Sequence, residues 1–382
     1  MNRCALAAIV LLTGCDAGPS EPASPGLQET LDAAAVLAGQ AQDLHRPGEL
    51  GFGWGETVLA YGFHRLHAST GAPQWQGYYR IWQTTAAGSL PDMVSSASMS
   101  PALVASVLMV EDGSVDLTGA TDAAHAYLET APRTDEGAIA HRGPEDPEFG
   151  GSAQVSIDSL GMWGIFLVSE HGRTGNREFL DRFVEQYQLF SDLCRSSSDL
   201  YLHAYDDSLD ANIPDADVFW ARGNAWVLVA AAELLARFPD DSAAEAIRPL
   251  FERHVASTLA SRTASGHWRT VMNSPRGEDP ANYEETSAGA LIGYALARAY
   301  HAGALEDDVL PALDAAVRGL ASRLVEQSDG HVTLQGTSSE TRPGEYEDYL
   351  ATLQVDDEIV GVGAAVMFLA EVDGVPRPPV EP

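Results

Sequence analysis

The chain has 382 residues, with 55 Asp and Glu against 22 basic residues, and a formal net charge of −33. No Lys occurs, so every one of those basic residues is Arg. Such a surface repels phosphate backbones and anionic headgroups, which excludes nucleic acid as a partner and electrostatic docking on lipid. The length allows one large core or two smaller ones.

The N-terminus begins with Met1-Asn2-Arg3 and the apolar run 5–12, a signal-peptide core too short to span a bilayer as a helix. The run ends in Leu12-Thr13-Gly14-Cys15, which resembles a bacterial lipobox. Residues 1–14 are then expected to be removed and Cys15 to carry acyl chains; the alternative is an ordinary secretory signal with a chance Cys. Residues 15–26 are rich in Pro, Ser, Gly and Ala and are expected to act as a flexible tether. The expected location is extracytoplasmic, with the membrane touched only through the lipid. Of the three cysteines, Cys4 leaves with the signal, Cys15 is lipidated, and Cys194 reads as a buried small side chain.

From residue 27 to 382 the pattern is helical nearly throughout. Apolar residues recur at helical spacing over 27–38, 57–66, 74–82, 101–110, 122–130, 158–170, 177–193, 219–237, 242–259, 285–301, 307–326 and 359–371. Pro101 and Pro311 suit first turns, and Gly172-Arg173-Thr174-Gly175 separates two helices. Strand patterns are scarce; His331–Gln335 is the best, as a hairpin arm. The connections 131–156, 195–217 and 266–284 are long and rich in His, Asp, Arg and aromatic residues, as functional loops are. About a dozen helices with no short fixed repeat suit a closed ring of helical hairpins or an irregular bundle, and periodicity does not separate the two.

Several chemistries are missing. The sequence has no Gly-x-Ser-x-Gly elbow, no phosphate-binding Gly-x4-Gly-Lys loop and no His-Glu-x-x-His zinc helix. His64 and His67 read as half-exposed helix residues rather than metal ligands, and no cofactor is implied. Four clusters remain: Pro132–His141, Ile157–Trp163, Leu200–Asp206 and Phe219–Trp226. Asp158 stands at the start of an apolar stretch, where capping the first turn is the stronger reading on the residues alone. Arg222, between Trp220 and Trp226, suits a sugar carboxylate against aromatic rings; an Arg paired with an internal acid is an equal reading.

These clusters, taken in order, resemble the unsaturated glycuronyl hydrolases of glycoside hydrolase families 88 and 105, the latter including unsaturated rhamnogalacturonyl hydrolases. The resemblance runs from about Trp54 to Glu371. It rests on the Pro-Arg-Thr-x-Glu-Gly element ending at His141, Ile157-Asp158-Ser159-Leu160-x-Met162, Leu-Tyr-x-His at His203, and Trp220-Ala-Arg-Gly-Asn-x-Trp226. Gly266-His267-Trp268, Tyr283–Ala288 and Gly361–Ala364 follow. The resemblance implies an all-α fold, the (α/α)6 barrel. It also implies removal of a 4,5-unsaturated uronic acid from the non-reducing end of an acidic oligosaccharide made by a lyase.

In such enzymes an Asp, matched by Asp158, protonates C4 of the vinyl ether while water adds at C5, so the usual pair of glycosidase carboxylates is the wrong template. The resemblance assigns the uronate carboxylate to Arg222 and a hydrogen bond near the reacting carbons to His203. His141, Trp54 and Trp226 line the pocket, and 337–339 adds hydroxyl contacts. There is one departure. Family members carry a second Asp before a Pro-led helix, and this chain has Ser95-Ser96-Ala97-Ser98 there. That motivates the alternative of a glycan-binding lipoprotein with impaired catalysis. The linked sugar and the oligomeric state stay open.

Overall fold

A computed structural model describes residues 27–142 and 152–376. Cys15, the expected signal and the expected tether lie outside the described residues. Among the described residues, twelve helices of ten residues or more follow one another. They are α1 (Leu27–Leu44), α2 (Trp54–Thr70), α3 (Pro73–Ala86), α4 (Ala102–Glu111), α5 (Thr118–Thr130) and α6 (Ile165–Thr174). The rest are α7 (Glu178–Cys194), α8 (Ala221–Arg237), α9 (Ser242–Ala260), α10 (Thr286–His301), α11 (Leu310–Ala321) and α12 (Ile359–Glu371).

The helices alternate between two rings. The even-numbered ones are apolar nearly all round: α8 is buried from Ala221 to Leu235, and α12 from Gly361 to Glu371. A helix with no polar face has to be surrounded, and these six pack side by side in the order α2, α4, α6, α8, α10, α12 and back to α2. The odd-numbered helices bury one stripe against them, as α7 does with Leu180, Phe183, Tyr187 and Phe190. The result is an (α/α)6 barrel, as expected.

The two ends of the barrel differ. Inner helices return to outer ones through short links, 71–72, 112–117, 175–177, 238–241 and 302–309. Outer helices reach the next inner one through long links, among them 87–101, 195–220, 261–285 and 322–358. The long links gather at the N-terminal ends of the inner helices. They hold three small antiparallel sheets, of which the sequence reading foresaw only one arm of the second. The first joins β1 (Gln154–Ser156), β2 (Ala204–Asp206) and β3 (Ala211–Ile213) in that order. The second pairs β4 (Leu324–Glu326) with β5 (Val332–Leu334), and the third β6 (Thr337–Ser338) with β7 (Gln354–Val355). The hairpin arm expected near His331 is therefore present. The helix expected over 307–326 is corrected: it stops at Ala321, because Val325 pairs across to Thr333 in the hairpin.

The opposite end is closed by buried charge. Glu233 and Glu371 lie among Arg65, Arg237 and Arg298, with Tyr294 donating to Glu233. Beside them Glu170 accepts from Ser106 (2.6 Å), His125 (2.8 Å) and Arg173 (2.7 Å from both Nε and NH2). Buried charges of this kind persist only when paired and hydrogen-bonded. Burial pushes Glu371 upward, yet His301 and the charges of Arg65 and Arg298 bring it down to about 2. Here too the reading of His64 is corrected. It is buried, 7 % exposed, with Nδ1 2.8 Å from Glu111, because the α4 carboxylate reaches it across the ring. Cys194 is buried as expected.

Candidate active site

A cavity of about 340 Å³ opens among the N-terminal ends of the inner helices. Trp54, His141, Asp158, His203, Arg222 and Trp226, drawn from distant parts of the sequence, all line it. Each is placed by a local device.

Asp158 follows β1 and precedes a one-turn π-helical segment, Leu160–Gly164, that leads into α6. The capping reading is corrected: its side chain bonds no helix N–H. Oδ1 instead accepts from Ser156 Oγ at 2.7 Å. The pairing of β1 with β2 sets Ser156 opposite Ala204, and Ile157 N donates to His203 O at 3.1 Å. Sheet register thus brings Asp158 and His203 to the same wall. π-Helical turns are uncommon and cluster at functional sites.

Two glycines dovetail the motifs. A Cβ on Gly161 would sit 2.7 Å from Cε3 of Trp226, and one on Gly223 2.6 Å from Cε3 of Trp220 and 2.9 Å from Cδ1 of Ile157. Both motifs need Gly because each receives an aromatic or branched side chain of the other region at van der Waals contact. Trp226 then meets Trp54 edge-on, with ring centroids 4.7 Å apart. Asn224 of the same motif faces away from the cavity. It bonds Tyr201 N (2.8 Å), Tyr201 O (2.9 Å) and His254 (3.0 Å), so its work is to pin the Leu200–His203 element to α8.

His203 is 1 % exposed and stacks on Trp220, centroids 4.0 Å apart at 25°. Burial lowers its pKa to about 3 against the opposing charge of Asp158, so it is neutral across the physiological range. His141 lies at the cavity edge with Nδ1 3.0 Å from Ser159 Oγ.

Arg222 behaves differently from its expected role. NH1 donates to Ser338 O (2.7 Å) and Ser287 Oγ (3.4 Å), and NH2 to Ser339 O (2.7 Å) and Thr341 Oγ1 (3.0 Å). Glu285, fully buried at the N-cap of α10, lies 3.8 Å from NH1. Both terminal nitrogens are committed to protein acceptors. Arg222 therefore clamps the 338–341 segment and is one of three arginines in the cavity lining; gripping a carboxylate with both nitrogens would require that segment to move.

The sequence reading set Trp220 beside Arg222 as a sugar-facing ring and missed charged groups that line the cavity with it. Trp220, Arg142, Arg342 and Glu358 all face the cavity. Glu358 caps α12, taking Val360 N (2.7 Å) and Gly361 N (3.1 Å), and burial pushes its pKa up. Helix-start signals alone point to a cap there, and nothing in the local sequence marks the cavity. Of the 337–339 stretch, Ser338 and Ser339 reach the cavity and Thr337 does not. Where a second Asp was expected, Ala97 forms the wall. Ser95 and Ser98 cap one another instead, with Ser98 N 3.2 Å from Ser95 Oγ and Ser95 N 2.9 Å from Ser98 Oγ. Among the described residues no three His, Cys, Asp or Glu side chains converge as a metal site would require. No helix among them is long and apolar enough to cross a membrane.

The arrangement offers the carboxyl groups of Asp158 and Glu358, aromatic walls, a neutral imidazole and nearby guanidinium groups. That set can bind an anionic sugar and move a proton at it.

Comparison with known proteins follows the same line. The sequence model described as Glycosyl Hydrolase Family 88 matches residues 36–374. Protein Atu3128 of Agrobacterium fabrum is 31% identical over 228 residues, covering 54% of this chain and 97% of that protein. The Unsaturated 3S-rhamnoglycuronyl hydrolase of Formosa agariphila is 29% identical over 161 residues, 41% of this chain and 39% of that protein. Among solved structures, a family 105 glycoside hydrolase of C. acetobutylicum superposes with a TM-score of 0.80 at 19% identity, over 90% of this chain and 99% of that one. The unsaturated glucuronyl hydrolase of Bacillus sp. GL1 gives 0.69 at 15%, over 91% and 97%.

Proposed function

Since the chain belongs to glycosyl hydrolase family 88 and is a glycosidase, we propose that it releases a 4,5-unsaturated uronic acid from the non-reducing end of lyase-generated oligosaccharides. The observation that carries this is the carboxyl group of Asp158 set with Trp54, Trp220, Trp226 and His203 in the lining of a cavity of about 340 Å³. That size suits a terminal sugar rather than a run of polymer.

Asp158 in its acid form gives its proton to C4. Water bonds to C5 and loses a proton to the Asp158 carboxylate, which restores the acid. The C5 hemiketal then opens, the glycosidic C–O bond breaks, and the linked sugar leaves. No covalent glycosyl-enzyme forms. Ser156 Oγ, 2.7 Å from Oδ1, orients the carboxyl group, and the indoles of Trp54, Trp220 and Trp226 form aromatic walls of the cavity. The anionic ring is held at short range by Arg142, Arg222 and Arg342, against the long-range repulsion of the acidic surface. A lipid anchor at Cys15 and residence outside the cytoplasm belong to the same proposal, supported by the N-terminal sequence.

The test is loss of the conjugated-uronate absorbance on unsaturated disaccharides from pectin backbone and from glycosaminoglycans, with Asp158→Asn as control. Decay with the wild type and none with Asp158→Asn, which still binds the sugar, is the expected result. Equal turnover by the variant would remove Asp158 from the chemistry. The second reading, a binding protein without turnover, is favoured by Ala97 in the wall, and sugar binding with no decay on any substrate would establish it.

A further inference from the structure

His203 is held from behind by a residue that does not itself line the cavity. Its Nδ1 lies 2.9 Å from the hydroxyl oxygen of Tyr349. Tyr349 is fully buried, on the short helix Tyr346–Ala351, and its oxygen also accepts from Gly344 N at 3.4 Å. A phenol has one proton to place and lone pairs to fill. If Nδ1 were protonated, it and the Gly344 N–H would both point at the phenol oxygen. The phenol's own proton would then be buried with no third partner among the described residues, a costly arrangement. With the phenol donating to Nδ1, the phenol, Nδ1 and the Gly344 N–H all have partners. The imidazole is neutral, as its lowered pKa of about 3 requires despite Asp158, with Arg222 and His141 adding to the downward push. It therefore carries a single ring proton, and that proton sits on Nε2, the nitrogen remote from Tyr349.

We propose that Tyr349 is a positioning residue that fixes His203 as an Nε2–H donor to the cavity. His203 thereby supplies an oriented hydrogen bond to an oxygen of the bound uronate and does not serve as a base, since its lone pair is directed at Tyr349. Both proton transfers then fall to Asp158. The same segment that Arg222 clamps at 338–341 continues into Gly344 and Tyr349, so one strap holds Arg222 and sets the tautomer of the imidazole. The catalytic consequence rests on the hydrolase reading above, whereas the tautomer is a property of the resting protein.

The experiment is a long-range proton–nitrogen correlation spectrum of protein labelled with ¹⁵N-histidine, the His203 signals being identified by their loss in His203→Gln. The expected pattern has the protonated nitrogen coupled to both carbon-bound ring protons, unchanged from about pH 5 to about pH 8. An Nδ1–H pattern, or titration inside that range, would overturn the proposal. Tyr349→Phe keeps the ring and removes the hydroxyl. It is expected to give mixed tautomers and a kcat lower by roughly 10- to 100-fold with little change in KM. A single Nε2–H tautomer and wild-type kcat in that variant would dismiss the role of Tyr349. Should Tyr349→Phe not fold, the wild-type spectrum decides the tautomer by itself. Absence of turnover by the wild type would instead strike the hydrolase reading, and the spectrum would still decide this one.

Discussion

Arg222→Ala separates a clamp from a substrate receptor. The guanidinium group is 6 % exposed and donates at 2.7, 2.7, 3.0 and 3.4 Å to acceptors on two elements. Hydrogen bonds from a charged donor are worth about 1.5–3 kcal/mol each and do not add. Glu285 matters more: it is fully buried, and the substitution would take away the cation 3.8 Å from it. Breaking a buried pair by removing one partner costs about 3–5 kcal/mol. Unfolding a domain of this size carries an entropy of roughly 0.7 kcal/mol per kelvin, from about 2.1 cal/mol/K per residue, so the expected drop in melting temperature is about 4–7 °C. Calorimetry measures it, and steady-state kinetics on the best unsaturated disaccharide accompany it. The clamp predicts a lower Tm, loss of kcat/KM, and limited proteolysis within 338–353 that the wild type resists. A Tm equal to wild type, with KM raised and kcat unchanged, would rule out the clamp and return Arg222 to the role of direct carboxylate ligand.

Other expectations are independent of that one. Gly161→Ala drives a methyl to 2.7 Å from the Trp226 indole; overpacking of this kind costs about 1–3 kcal/mol, and a raised KM with a lower urea midpoint is expected. Glu170 and Glu371 are both brought down to about 2 in the folded state by their cationic partners, against the upward push of burial. Their stabilisation is complete above the unfolded carboxylate value near ~4.3 and is lost as pH falls toward about 2. Urea midpoints should fall steeply over that window, and Glu371→Gln should lower the plateau and flatten the slope. With a net charge of −33, the repulsion of an anionic substrate is screened by salt. KM should therefore fall as ionic strength rises, and a rising KM would show that the local arginines control approach. Cys15→Ala should release the protein from membranes to the soluble fraction, and an unchanged membrane fraction would dismiss the lipid anchor.

Local sequence was enough for the helices and for most of the motifs that the ring brings to one cavity. Twelve amphipathic or wholly apolar stretches were readable because helical periodicity is a local property, as in α9, predicted over 242–259 and observed over Ser242–Ala260. The motif residues were readable because Gly161 and Gly223 leave no alternative to Gly once Trp226 and Trp220 are in place, and such constraints mark a sequence strongly. What the groups do to one another was set by tertiary contacts alone. Asp158 looked like a cap until the register of β1 against β2 set it beside His203. Arg222 read equally as a carboxylate ligand or as an internally paired Arg, and its bonds to a strap more than a hundred residues away are visible only in the fold. Glu358 carried only a helix-start signal and Tyr349 none, because the cavity beside the one and the imidazole beside the other are built from distant parts of the chain. Periodicity and capping are written along the chain, whereas hydrogen-bond partners, charge fields and tautomers belong to pairs of residues that only ring closure brings together.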